Sequence, residues 1–412
     1  MPSIWLVNQF ANTPDLPGHT RQFELAKELV QYGWKVEVFS SDFNLLERRF
    51  CKLKRNQLIK YENFGGFSFT WLRVFPYTKN DWRRYFNLAS FGLHLFFRFF
   101  LSILTSTFFS NKRKPDLLLA SSPQLPAAFL CMWIAKIFSI PFVLEVRDLW
   151  PQVLIDQDGQ NPNSLFISIL SWMEHRIYES ANHIVVLAKG VEEYVSLRGA
   201  KNISWLPNGP DLDKFKQIPL PVELDGFNEQ RPFKILYTGA HGTVNALDNI
   251  IETARLLEHL PIKFCLIGDG PEKKSLISAA ENLSNVDFFN PIPKFLIPEL
   301  VASSDAMLIS LANVPLFRYG VSPNKLYDAY AFGRPVITTV PGIINEEVIR
   351  ELVGVVSPPD DPDELAKSIV KLFLTSRTER TAMGCRARKL AEITYSRKRV
   401  SAQYEKIIRN LI

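Results

Sequence analysis

The sequence predicts an α/β chain of two doubly wound, parallel-sheet domains, Rossmann-like in construction and facing one another across a cleft. Three observations carry that expectation. Short apolar, β-branched runs alternate with helical stretches from end to end, as they do when parallel strands are covered by helices on both faces. The rhythm runs twice, once on each side of the Pro-rich stretch Pro207–Pro232. The chain has 412 residues, and a single core stops growing at roughly 250–300.

In the first half the strand candidates are Ile4–Phe10, Lys35–Ser40, Asp116–Ser121, Phe142–Arg147, His183–Leu187 and Asn202–Leu206. A helix from about Thr20 to Tyr32 separates the first two, with Phe23, Ala26, Leu29 and Val30 on one face and Gly33 as its stop. The second half offers Phe233–Thr238, Ile262–Gly268, Val286–Phe289, Ala306–Ser310 and Pro335–Thr339. This places one domain at 1–206, a linker at 207–232 and a second domain at 233–385. A basic helical segment, 386–412, either caps the second domain or crosses back to the first. In such sheets ligands bind beyond the carboxyl ends of the strands, so function is sought in the loops that follow them.

Composition narrows the field. With 47% hydrophobic and 22% charged residues the chain is neither disordered nor collagenous. Cys51, Cys131, Cys265 and Cys385 form no CxxC, and the six histidines show no ligand spacing, so neither a disulfide framework nor a metal is expected. The opening apolar run IWLV is only four residues long and meets Asn8 and Gln9 directly, which reads as a cytoplasmic chain without a signal peptide.

Lys plus Arg exceed Asp plus Glu by 48 to 42, a net charge of +6. The excess sits in the first half, and residues 48–114 alone hold 14 basic against 2 acidic side chains. Inside that stretch, Phe86–Phe109 carries eight of the 31 Phe and a polar stripe, Asn87, Ser90, His94, Arg98, Ser102 and Thr105, at steps of three and four. Trp82-Arg83-Arg84 precedes it and Lys112-Arg113-Lys114 follows. The basic Phe-rich segment 82–114 reads as an amphipathic helix lying on an anionic membrane surface, or as a helix packed on the first sheet with its stripe in water. Nucleic acid is not expected as a partner.

Several post-strand loops suit chemistry. Gly18 and His19 lie just ahead of the first helix, where a helix N-terminus favours an anion. Arg147-Asp148-Leu149-Trp150 closes the strand Phe142–Arg147, as a site or as a buried ion pair. Gly239, His241 and Gly242 follow the first strand of the second half, and Gly268 and Gly270 follow its second. Glycines there let main-chain N–H groups approach a phosphate, or serve as plain turns. The richest stretch runs from Arg318 to Ile337. Ser322 reads as a helix cap, with Pro323 and Asn324 opening the first turn. Lys325 falls in that turn, where the helix dipole disfavours a cation, which suggests that it meets an anion. Asp328 lies one turn on, able to accept from sugar hydroxyls.

The ordered set PDLLLASSP (115–123), FVLEVRDLWP (142–151), LPNGPD (206–211), LIGDGP (266–271) and SPNKLYDAYAFGRPV (322–336) resembles the GT-B glycosyltransferases. The resemblance is to retaining family GT4 (group 1), in the bacterial surface-polysaccharide branch of the N-acetyl-L-fucosamine transferases, and it covers nearly the whole chain. It implies a hexosyltransferase-type enzyme with an N-terminal acceptor domain and a C-terminal domain for a nucleotide-sugar donor, with a UDP-sugar as the expected donor. No cofactor or metal is implied. The acceptor would be a polyprenyl-diphosphate-linked saccharide, with the protein peripheral on the inner face of the cell membrane.

Carried onto this sequence, the resemblance turns Gly239, His241, Gly242, Ser322, Pro323 and Asn324 toward the diphosphate, Gly268 and Gly270 toward the nucleoside, and Asp328 toward the ribose. Lys325 and Arg318 would stabilise the leaving group, and Asp148 would position the acceptor hydroxyl. Gly18, His19, Arg147 and Trp150 would line the acceptor side. Two departures stand out: the family's paired glutamates fall on Gly320 and Asp328, and Thr243–Asn249 lacks the usual Arg and Lys. The alternatives are a sugar-nucleotide epimerase of the same architecture and a catalytically silent nucleotide- or glycan-binding subunit.

Overall fold

The computed structural model describes residues 1–45, 47–78, 82–109, 114–215, 231–292 and 296–412. They divide into two compact units, one of Met1–Leu187, Val191–Leu206 and Ser401–Ile412, the other of Ala188–Gly190 and Pro207–Val400. Relative to the domains expected from the sequence, residues 401–412 group with the first unit and 188–190 with the second. Most of the expected linker, 216–230, lies outside the described residues.

The first unit contains β1 (Ser3–Val7), β2 (Lys35–Ser41), β3 (Phe43–Asn44), β4 (Arg49–Phe50), β5 (Ile59–Phe64), β6 (Phe67–Leu72), β7 (Leu117–Ser121), β8 (Phe142–Val146), β9 (His183–Val186) and β10 (Ile203–Trp205). Its helices are α1 (Arg21–Gln31), α2 (Trp82–Phe109), α3 (Leu125–Ile137), α4 (Gln152–Asp156), α5 (Leu165–Ser180) and α6 (Val191–Leu197). The sheet order is β10-β9-β8-β7-β1-β2-β6-β5, parallel except for the β5–β6 hairpin. Strands β7 and β8 are buried throughout, hence their mainly apolar runs, interrupted only by Ser121 and Glu145. The strand order reverses at β1 and β7, so the loops after those two strands flank the switch point. Helix α1 buries Gln22, Leu25, Ala26 and Leu29. Phe23, expected on that face, instead packs edge-on against Phe64 and Phe67 of the hairpin.

Helix α2 overturns the expectation of a polar stripe in water. Asn87 is fully buried, accepting from Gln9 Nε2 and donating to the Phe75 carbonyl, both at 2.6 Å. Ser90 Oγ accepts the Phe75 N–H at 2.9 Å, His94 Nδ1 lies 3.2 Å from the Arg73 carbonyl, and Arg98 donates to Tyr61 Oη at 2.6 Å. These four side chains therefore face protein. The irregular backbone around 73–75 has polar groups to satisfy, and α2 supplies the partners. Water is left to Phe86, Leu93, Phe97 and Leu101. The basic flanks also turn inward in part. Arg84 lies 5.5 Å from the buried Trp150 ring, Lys114 donates to the Phe138 carbonyl at 2.8 Å, and Lys112 and Arg113 lie outside the described residues.

The second unit contains β11 (Phe233–Thr238), β12 (Ile262–Ile267), β13 (Val286–Phe289), β14 (Ala306–Ile309), β15 (Val336–Thr338) and β16 (Gly354–Val356). Its helices are α7 (Leu247–Leu256), α8 (Lys273–Ala279), α9 (Ile297–Ala302), α10 (Asn324–Ala331), α11 (Ile343–Arg350), α12 (Pro362–Leu374) and α13 (Arg377–Leu390). The order β13-β12-β11-β14-β15-β16 is all parallel and reverses between β11 and β14. Ile235, Tyr237, Phe264, Leu266 and Leu308 share a core with Ile250, Ile251 and Ile369. The C-terminal segment is two helices, α13 and α14 (Arg397–Arg409), joined by a π-helical turn at Ala391–Tyr395. The last turns of α14 belong to the first unit, where Tyr404 Oη donates to Glu145 at 2.9 Å.

Candidate functional site

The switch point of the second sheet gathers the strongest motif residues. The loops after β11 and β14 meet where the Ala312 N–H donates to the Val244 carbonyl at 3.0 Å. Gly268, at φ +154°, lies so close to the first of these loops that a methyl there would sit 1.8 Å from the Gly239 carbonyl oxygen. A methyl at Gly270 would sit 2.2 Å from the His241 carbonyl oxygen. Main-chain bonds zip the two turns together, His241 N–H to the Asp269 carbonyl at 2.9 Å and Glu272 N–H to the His241 carbonyl at 3.0 Å. Lys273 Nζ clips the edge, donating to the Gly268 carbonyl at 2.8 Å and to the Phe289 carbonyl and Asn290 Oδ1 at 2.9 Å. Sequence reasoning did not single out Lys273.

Lys325 enters this ring from the first turn of α10. Its amine lies 4.1 Å from the centroid of the Tyr237 ring and 3.4 Å from Asn245 Oδ1, beside Gly239. Tyr237 is held in turn by its hydroxyl, which donates to the Ala240 carbonyl at 2.7 Å. Desolvation pushes the Lys325 amine down to about 7, with no carboxylate among the described residues opposing it. A lysine held near half-charge over an aromatic face, at a helix N-terminus, is suited to an incoming anion. Among the described residues, no cluster of three or more His, Cys, Asp or Glu is placed to hold a metal ion.

One assignment changes. Ser322 does not cap α10, whose cap position is Pro323. The Ser322 hydroxyl instead accepts the Asn208 N–H at 3.1 Å and pairs with Tyr327 Oη at 2.8 Å, while its carbonyl takes Asn208 Nδ2 at 3.0 Å. Ser322 thereby ties Asn208 to α10. His241 is fully enclosed, with neither ring nitrogen partnered among the described residues. Burial, with Lys273 and Lys325 nearby, lowers its pKa, so the ring packs between the loops as a neutral group. Asn324 is exposed, while Gly242 and Asp328 are partly buried. Arg318 is exposed, its guanidinium 4.7 Å from the Tyr319 ring centroid. Gly320, where the family places a carboxylate, adopts φ +84°, and a methyl there would lie 3.5 Å from Ala188 Cβ.

In the first unit, Gly18 at φ +125° lets its loop fold onto Asn12, and the His19 carbonyl accepts the Asn12 N–H at 2.8 Å, leaving His19 exposed. Trp150 is buried beside Arg84. Arg147 donates to Gln22 Oε1 at 3.2 Å, and burial lowers its pKa against the pull of Glu145 and Asp148. Asp148 is exposed, while desolvation of its carboxyl raises its pKa against the pull of Arg147. Behind them Glu145 is fully buried and accepts from Arg21, Gln22 and Tyr404 at 2.9 Å each.

A further feature escaped the sequence. Asn8 Nδ2, Gln9 Oε1 and both amide atoms of Gln124 are buried without a partner among the described residues. All lie in the loops after β1 and β7, the switch point of the first sheet. Nothing in their spacing marks them, because the strand order that brings residues 8 and 9 to 124 is not local. Buried amides left unsatisfied by protein mark places where solvent or a ligand supplies the missing bonds.

Two doubly wound sheets, each with polar groups gathered at its switch point, are the architecture of a GT-B protein. Sucrose-phosphate synthase from Thermosynechococcus elongatus superposes with a TM-score of 0.74 at 16% identity, covering 100% of this chain and 99% of that one. Anabaena HepE in complex with UDP superposes at 0.67 and 15% identity, covering 100% of both chains. A glycosyl transferase 4-like domain matches residues 18–209 and a glycosyl transferases group 1 domain matches 225–390. The probable glycosyltransferase WbjE of Pseudomonas aeruginosa is 24% identical over 68% of this chain and 72% of its own. The putative colanic acid biosynthesis glycosyl transferase WcaI of Escherichia coli K12 is 22% identical over 81% of this chain and 82% of its own. The chain belongs to the group 1 glycosyltransferases.

Proposed function

We propose that this glycosyltransferase moves a sugar from a nucleotide diphosphate, a UDP-sugar, to a polyprenyl-diphosphate-linked saccharide in surface polysaccharide synthesis. Transfer proceeds with retention and without a metal, on a protein peripheral to the cytoplasmic face of the membrane. The observation that carries the donor half is the Lys325 amine, desolvated over Tyr237 at the second sheet's switch point. That HepE is found with UDP, and that WcaI is named for colanic acid biosynthesis, supports the same reading.

The donor diphosphate recharges Lys325, and the first-turn N–H groups of α10 add to the field. As the bond from anomeric carbon to phosphate oxygen breaks, negative charge grows on the diphosphate, where Lys325 and Arg318 oppose it. The acceptor oxygen forms the new bond to that carbon, and its proton passes to the leaving phosphate oxygen. No carboxylate at 320 enters this step. On the acceptor side, Asp148 positions the attacking hydroxyl, and the unpartnered amide atoms, Asn8 Nδ2, Gln9 Oε1 and both of Gln124, bond other saccharide hydroxyls.

The test is a panel of labelled UDP- and GDP-sugars with lipid-linked acceptor. Sugar transfer from a UDP-sugar, with the anomeric configuration kept, is the expected result. Donor turnover without acceptor would make the protein an epimerase, and tight donor binding without turnover a silent subunit. Either outcome overturns the proposal.

A further inference from the structure

Helix α2 is 28 residues long and, with α3 beside it, contains no Asp or Glu. By length and apolarity α2 could cross a bilayer, but its polar side chains are bonded into the unit. Its opposite side is the unusual one. Leu93, Phe97 and Leu101 stand at steps of four and are exposed, Phe97 by 59%.

The neighbouring helices continue this face. Helices α2 and α3 pack closely at Gly92, where a methyl would come within 3.3 Å of the Ala127 backbone. Next along, Trp133 and Ile137 of α3 are exposed, and so are Ile169 and Trp172 of α5, Trp172 by 53%. Phe129 bridges the seam, its ring 5.2 Å from Trp172 and 6.3 Å from Trp133. Three helices at about 10 Å spacing, each exposing two or more turns, present on the order of 500 Å² of apolar surface, at the upper end of what a soluble monomer leaves open.

Charge selects the occupant. Lys136 lies 5.7 Å from the Trp133 ring and Arg83 lies 5.5 Å from the exposed Trp82 ring. The carboxylates of α5 do not oppose them, since Glu174 is buried beside Arg198 and Glu179 is paired with Arg176 and His175. Tryptophans and cations edge an apolar sheet of side chains that, among the described residues of the three helices, leaves no carboxylate unpaired. Such a face matches the boundary between acyl chains and anionic headgroups.

We propose that the outer face of α2, α3 and α5 docks on an anionic bilayer, the helices lying in its plane and their apolar side chains entering one leaflet. The inference rests on the peripheral reading above and deepens it. It differs from the sequence expectation in what does the holding. A three-helix apolar face carries the contact, and the basic rim only steers it.

Flotation with phosphatidylcholine–phosphatidylglycerol vesicles, free of any saccharide, tests this. Two triple variants are compared, Leu93→Gln/Phe97→Gln/Leu101→Gln on α2 and Trp133→Gln/Ile137→Gln/Trp172→Gln on α3 and α5. Each should lower vesicle partition about tenfold or more, since each removes three apolar side chains from the leaflet. In the unaltered protein, bromine-labelled lipid should quench tryptophan emission, and Trp133→Phe/Trp172→Phe should remove most of that quenching. Unchanged partition in the α3–α5 variant would confine the contact to α2 and overturn the three-helix face. A dimer in solution that dissociates in both variants would make a second copy the occupant, and overturn it as well. UDP-glucose binding, followed in parallel, keeps the two readings apart. Its retention without vesicle binding sinks the docking face alone, and its loss with vesicle binding intact sinks the donor site alone.

Discussion

Replacing Lys325 with Met should make the ligand-free protein more stable while removing donor binding. The reasoning is a proton balance. In the unfolded chain this amine titrates near 10.5, but in the folded protein burial brings it to about 7. The folded state therefore holds fewer protons than the unfolded one between those values, and stability rises with pH across that window. Below it the folded protein carries the full cost of a desolvated charge. At about 1.4 kcal/mol per unit the shift corresponds to roughly 5 kcal/mol. The side chain keeps some contact with solvent and leans on Asn245, so about half of that, ~2–3 kcal/mol, is the working figure.

Methionine has nearly the same length and no charge, so Lys325→Met should raise the melting temperature by about 5–10 °C near pH 6. The gain should shrink steadily as pH rises through that window and vanish only above about pH 11, where the amine is neutral in both states. Calorimetry without donor reads this directly. Donor binding gives the complementary signal, because a diphosphate favours the charged amine. UDP-glucose affinity should be flat below about pH 7 and weaken by up to tenfold per unit above it, with about one proton taken up per donor near pH 8. Lys325→Arg, charged throughout, should flatten that profile. A Lys325→Met protein that melts lower than the parent near pH 6, or parental affinity that is flat from about pH 6 to 9, would refute the argument.

Other consequences can be checked separately. Gln124→Met removes an amide whose two polar atoms lack partners among the described residues, so it should raise the acceptor KM about tenfold or more while leaving melting and donor affinity unchanged. Glu174, buried beside Arg198, has its pKa raised to about 7, so its cost appears as pH rises from 4.5 through that value. Glu174→Gln should therefore stabilise the first unit by ~2 kcal/mol near pH 8 and have little effect near pH 4, in paired thermal melts. Gly268→Ala would drive a methyl into the Gly239 carbonyl at a φ of +154°, and should weaken UDP-glucose binding strongly and lower stability by about 2–4 kcal/mol.

The strands were legible because parallel sheets bury both faces, so Leu117–Ser121 or Phe142–Val146 appears as a mainly apolar run, interrupted by a single polar residue, with little competing signal. Lys325 was legible for a different reason, a cation placed where the helix dipole disfavours it. Its neighbours were not. Tyr237 looks like one more strand aromatic, and Asn245 like one more turn residue, until the order β11-β14 brings their loops to the start of α10. Ser322 misled because a serine before proline has the form of a cap, while its hydroxyl was already committed to Asn208 and Tyr327. Sites assembled across a switch point are scattered along the chain by construction, and only the strand order reunites them.

Helix α2 shows how a correct periodicity can carry the wrong orientation. The stripe Asn87, Ser90, His94 and Arg98 is real, and a stripe of that kind normally marks the wet side of a helix. Periodicity, however, specifies only that one face differs from the other. Which face meets protein depends on what the helix packs against, and here that is the irregular backbone at 73–75 and the edge hairpin β5–β6. Bare N–H and carbonyl groups there require polar partners, and an apolar face laid over them would leave them unsatisfied. The polar side must therefore turn inward, and the phenylalanines and leucines on the far side are forced outward with it. The same hydrogen bonds that fix α2 in the unit thus create the apolar surface that needs a cover, which is why the basic rim alone gives an incomplete account of this segment.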